Sequence, residues 1–152
     1  MLEADTPHTP WHLWAVAGVA VLFTSFGCYD YFMTQSADRA HVEAAMAPAG
    51  VDADAALAYF DAFPVWLDAI WAIGVWGGFA GALLLLLRNR FAFPVFAASI
   101  TAFVVSNAYG MANPIPGMED PSMVYVVTAV VFAVMLFLTL YARAMAARGV
   151  LR

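Results

Sequence analysis

Lysine is absent, and the only fixed positive charges are six Arg against eleven Asp and Glu, for a formal net charge of -5. A chain so poor in basic residues offers little surface from which nucleic acid could release counterions, so no nucleic-acid partner is expected. Cysteine is nearly missing too. Cys28 stands alone within an apolar run and cannot form an intrachain disulfide, and it reads as a small buried residue. Histidine is equally sparse: His8 and His12 precede or open the first apolar segment, and His41 follows it. There is no CxxC, no HxxxH and no pair of His within apolar segments, so haem, flavin and zinc lack their fingerprints. Ser25, Ser99 and Ser106 have no base beside them in the pattern, which leaves nucleophilic catalysis unsupported. The expectation is a protein without enzymatic chemistry, cofactor or metal.

Charge of either sign is scarce, at 11% of residues, while 64% are hydrophobic and mean hydropathy is +0.81. A water-soluble surface requires more charge than this. The apolar residues form long runs, and a hydrocarbon layer of ~30 Å is crossed by about 20 helical residues at ~1.5 Å each. Four stretches meet that length: about Trp11 to Met33, Pro64 to Leu87, Phe91 to Tyr109 and Ser122 to Tyr141. Helix is the expected element because backbone groups cannot go unpaired in lipid, and runs such as GALLLLL do not alternate as barrel strands do. Pro10, Pro64, Pro94 and Pro121 fall near segment starts, where a missing N–H costs little. The predicted fold is an all-α integral membrane protein, a four-transmembrane-helix bundle forming one domain over residues 1–152.

The opening MLEADTPHTPW has no Lys or Arg, so the positive region of a secretory signal is missing and the first span is expected to be retained. Arg88 and Arg90 lie in the tight link between the second and third spans, and Arg143, Arg148 and Arg152 follow the fourth. The positive-inside rule makes that side cytoplasmic and places both termini there. Opposite lie Arg39, Asp38, Glu43, Asp52, Asp54 and Asp61, in an outer loop of about residues 34–63, and with them Glu119 and Asp120. Its first part, ADRAHVEAAMA, has helix-forming composition and stops at Pro48; its second, DADAALAYFDAF, reads as a helix with an apolar side. The last residues, RAMAARGVLR, read as a basic extension of the fourth helix at the cytoplasmic surface.

Two carboxylates interrupt the apolar runs, Asp30 near the outer end of the first span and Asp68 about one turn into the second. A carboxylate at this depth costs enough to mark a candidate functional site. Three readings stand open. Each carboxylate snorkels to water, with Asp68 also favoured by its helix dipole. Alternatively both converge on an outward-facing polar pocket with Tyr29, Tyr31, Thr34, Gln35, Trp71, Ser106, Asn107 and Tyr109 at similar depth, for a small solute or cation. In the third reading they pair with a partner membrane subunit. Gly74, Gly77, Gly78 and Gly81 form a small-residue stripe more than about 90° around the second helix from Asp68, taking ~100° per residue. Such a stripe suits close helix packing, within the bundle or between subunits of a homo-oligomer.

The segments FGCYDYFMTQ, YFDAFPVWLDAIWAIGVWGG and YARAMAARGVLR resemble a family of short bacterial inner-membrane proteins with four spans, often labelled "sugar transporter". The matching positions include Tyr29, Asp30, Tyr31, Thr34 and Gln35, then Phe63, Pro64, Trp66, Trp71, Gly74, Trp76 and Gly77. The resemblance implies a bacterial inner membrane and a transport role. Four short spans are few for a carrier built from internal repeats, so a transport role favours an oligomer. Two functions are therefore expected: a small transport or solute-binding protein, or an accessory subunit of a larger membrane complex.

Overall fold

A computed structural model describes residues 8–152, all of them helix or connecting loop. The expectation of a retained N-terminal segment rests partly on residues 1–7, which lie outside the described residues. Six helices follow in order: α1 Trp11–Gln35, α2 Arg39–Met46, α3 Ala53–Asp61, α4 Val65–Leu86, α5 Ala92–Ala112 and α6 Ser122–Ala147. Of these, α1, α4, α5 and α6 are long and apolar enough to cross a membrane. Their starts follow the proline punctuation. Pro10, Pro64 and Pro121 occupy the N-cap positions of α1, α4 and α6, and Pro94 sits in the first turn of α5.

Hydropathy locates the helices but not their far ends. α5 runs three residues past Tyr109, and α6 runs six past Tyr141. In α6 the added residues are Ala, Met and Arg, all strong helix formers, so the backbone ladder continues past the apolar window. What ends α6 is Gly149, whose φ of 69° turns the chain while Gly149 N–H and Val150 N–H donate back to Ala146 and Met145. The sequence predicts a basic extension lying along the surface. Instead, Val150 and Leu151 are buried, and Arg152 exchanges backbone bonds with the α4–α5 link. Its N–H donates to Arg88 O at 2.7 Å, and its carbonyl accepts from Arg90 N–H at 2.9 Å. Arg88 also reaches Val150 O with its guanidinium. These bonds tie the arginine-rich end of the bundle together.

The tightest helix pair is α4 on α5, and the glycine stripe explains it. A Cβ built on Gly74 would lie 3.4 Å from Phe103 N, one on Gly77 3.2 Å from Ser99 Cβ, and one on Gly81 2.8 Å from the Phe96 ring. Ser99 Oγ uses the closeness to donate to Gly74 O at 2.5 Å. Gly78 is shared more widely, with Ser99, Met135 of α6 and Thr24 of α1 within reach of its missing Cβ. The stripe therefore packs this chain's own helices around Leu13, Ala17, Ala82, Leu85, Phe96 and Leu138.

At the opposite, acidic end, α2 and α3 form a cap. Asp38 accepts from His41 N–H at the start of α2, and Asp52 accepts from Asp54 and Ala55 N–H at the start of α3. Val42, Ala49, Val51 and Ala56 make a small second core against Ile115 and Met118 of the α5–α6 loop. The loop is also held by backbone, with Glu119 N–H donating to Ala49 O at 3.2 Å. Two distant segments thus roof one end of the bundle.

Candidate functional site

Beneath this roof lie two clefts. The first, of about 560 Å³, sits between the α3–α4 corner, the ends of α5 and α6, and the loop from Pro114 to Met118. Its walls are Tyr59, Phe60, Phe63, Trp71 and Tyr125, and its polar groups include Ser106, Asn107 and Thr128. The second, of about 520 Å³, separates α1 from α6 and has α4 and α5 as its floor. Trp71, Ser106 and Asn107 line both, so the clefts adjoin across these three side chains. Both volumes fall in the range of small-molecule sites, roughly 300–1,000 Å³.

The aromatic wall is an interlocked set. Phe60 stacks on Trp71 with ring centroids 5.6 Å apart and planes 23° from parallel. Tyr31 meets Trp71 edge-on at 4.9 Å, and Phe63 meets both Trp71 and Tyr109 edge-on. Tyr109 also meets Trp66. Edge and offset contacts of this kind fix ring orientation beyond what burial alone gives. Tyr59 adds a polar tie across the roof, its hydroxyl donating to Asn113 O at 2.7 Å. Partial burial, and secondarily Tyr109, raises the Tyr59 phenol above its ordinary value, so it remains a donor at neutral pH.

Where the two clefts meet, Asn107 is held from both sides. Its amide donates to Phe103 O at 2.9 Å, and its oxygen accepts from Thr128 of α6 at 3.2 Å. Ser106 donates to Phe103 O. These polar groups sit on rigid helices, as a preorganised site requires.

Asp30 lies at the edge of the second cleft, with its side chain about half exposed. Its Oδ1 is 2.8 Å from His41 Nε2 of α2, and Tyr29 packs edge-on against the same imidazole. Asp68 lines neither cleft. Its Oδ1 is shut off from solvent and has no hydrogen-bond partner among the described residues. The structure thus gives the two carboxylates separate surroundings.

The remaining candidates are spread around this region. Thr34 is buried at the end of α1, and Gln35 is exposed, donating to Tyr31 Oη at 3.1 Å. Neither lines a cleft, whereas Trp71 and Asn107 line both. Sequence reasoning set His41 aside for want of a second His, and it gave no role to Thr128 or the 114–118 loop. Only folding brings these beside Asp30, Asn107 and the aromatic wall. Comparison with protein-family models, curated proteins and solved structures gives no match for this chain.

Proposed function

We propose that the chain is a small bacterial inner-membrane protein that binds, and in an oligomer transports, a small solute entering from the outer face. In this reading the arginine-rich end is cytoplasmic, both termini lie there, and the α2/α3 roof faces outward. The observation that carries it is the meeting of two clefts at Trp71, Ser106 and Asn107. Aromatic faces supply stacking, and the amide and hydroxyl groups fix orientation. Polar backbone and side-chain groups in a lipid-surrounded bundle are stable where they border a cavity. Binding here is non-covalent and calls on no cofactor. The resemblance to four-span inner-membrane proteins agrees with this role.

The test is a saturation-transfer screen in nanodiscs with panels of neutral sugars, aromatic acids and quaternary ammonium compounds. At least one class should bind, and Trp71→Ala should weaken it about tenfold or more. If nothing binds at millimolar concentration, or if Trp71→Ala leaves binding unchanged, the proposal fails.

Asp68 favours a second reading, an accessory subunit of a larger membrane complex. Asp68 is partly exposed although one of its oxygens is buried without a donor, and a partner's Arg or amide meeting its exposed part would offset the cost of a carboxylate held at this depth. Purification from native membranes in mild detergent separates the two. A stoichiometric foreign partner lost on Asp68→Leu supports the subunit, and a homogeneous self-assembly counts against it.

A further inference from the structure

The second cleft has an unusual make-up for a site within a membrane bundle. At the arginine-rich end, α1 and α6 are joined by His12 Nδ1 and Tyr141 Oη, 2.5 Å apart. Towards the acidic end the cleft separates the two helices, leaving an opening between them. Its rims are apolar: Phe26 on α1, and Val126, Val127 and Val130 on α6, all exposed. In a bilayer an opening between two such helices admits lipid-soluble molecules sideways. Among the described residues, Asp30 is the one ionisable side chain lining the cleft.

We infer that this lateral cleft binds a single-chain amphiphile with an ammonium head, the chain between α1 and α6 and the head on Asp30. The inference rests on the solute-binding reading above and specifies a ligand class for its membrane-facing half. Five observations carry it. The cleft is lined mainly by apolar side chains and carries a carboxylate at its edge, which complements a cation joined to an apolar tail. Asp30 has one oxygen on His41 and a side chain still half exposed, so a second donor can approach. Arg39, the one arginine of the roof helices, is engaged with Asp54 at 3.0 Å and does not line the cleft. Trp71 on the floor contributes its indole to the same cavity, and ammonium groups are attracted to aromatic rings. A volume near 520 Å³ suits one alkyl chain, which favours a single-chain amine over a two-chain phospholipid.

The experiment uses 11-bromoundecylammonium, whose bromine quenches tryptophan fluorescence on contact, with the full chain in phosphatidylcholine nanodiscs. The neutral control is 11-bromoundecanol. Saturable quenching by the amine is expected, absent with Trp71→Phe, with the alcohol binding about tenfold more weakly, the scale of one charge-assisted hydrogen bond. Asp30→Asn should remove the difference between amine and alcohol. Gly27→Leu should abolish both, because Gly27 lines the cleft and has open space around its missing Cβ, so the larger side chain fills the cavity without clashing with its walls. Equal affinity for amine and alcohol, an unchanged preference in Asp30→Asn, or no saturable quenching would overturn the inference. Competition by phosphatidylethanolamine added to the nanodiscs would overturn the single-chain assignment in favour of a membrane lipid. The solute screen on Gly27→Leu keeps the two claims apart. Solute binding that persists while the amine fails removes only the lateral site.

Discussion

His41 Nε2 lies 2.8 Å from Asp30 Oδ1, joining the roof helix α2 to the edge of the lateral cleft. The imidazole is mostly covered and the carboxylate is about half exposed. Partly exposed pairs of this kind are screened by water, and their coupling is expected to be about 1 kcal/mol or less. A double-mutant cycle with His41→Ala and Asp30→Asn, read by thermal unfolding in detergent, checks this. Coupling above about 3 kcal/mol would instead mark a pair sealed from solvent.

Opposite outcomes are expected at two glycines, Gly81 in the α4 stripe and Gly18 outside it on α1. Gly81→Val places a branched Cβ where 2.8 Å separates it from the fully buried Phe96 ring, and should cost about 1–3 kcal/mol through overpacking. Gly18 has nothing within 4 Å of a built Cβ, so Gly18→Ala should be neutral or stabilise by up to about 1 kcal/mol. Unfolding midpoints of the two variants decide it, and equal effects would contradict the α4–α5 packing.

Tyr59 carries a pH prediction. Its phenol is raised by burial and then by Tyr109, and its proton is donated to Asn113 O. A raised acid contributes stability that is complete below the ordinary phenol value and is lost as pH rises through the raised one. Tyr59→Phe should cost about 1 kcal/mol at neutral pH, as expected for one hydrogen bond. The difference from wild type should shrink only in alkali. An ultraviolet titration should show one late-titrating tyrosine missing from the variant, and an unchanged titration would contradict this assignment.

The spans were legible because lipid imposes a length and a composition that hydropathy reads directly, and because Pro10, Pro64 and Pro121 mark helix starts. Trp71 and Asn107 were legible as polar or amphipathic residues at one depth. The pairing of Asp30 with His41 was not, since it depends on the turn at Ala37, whose φ of 54° folds α2 back over the end of α1. Neither was the return of Val150 and Leu151 into the core, which hinges on Gly149 within a run that otherwise reads as basic surface helix. The gap between α1 and α6 had no signal at all. It follows from the order of packing, α1 on α4, α4 on α5 and α5 on α6, which hydropathy does not encode.

If the Trp71–Ser106–Asn107 level opens to the outer face, a thiol placed there is reached from that side alone. Ser106→Cys in a Cys28→Ala background places one thiol where the two clefts meet, with little change in side-chain volume. The measurement is labelling by a membrane-impermeant maleimide in right-side-out and inside-out vesicles. The account predicts labelling in right-side-out vesicles only. Labelling confined to inside-out vesicles, or none in either, would contradict it.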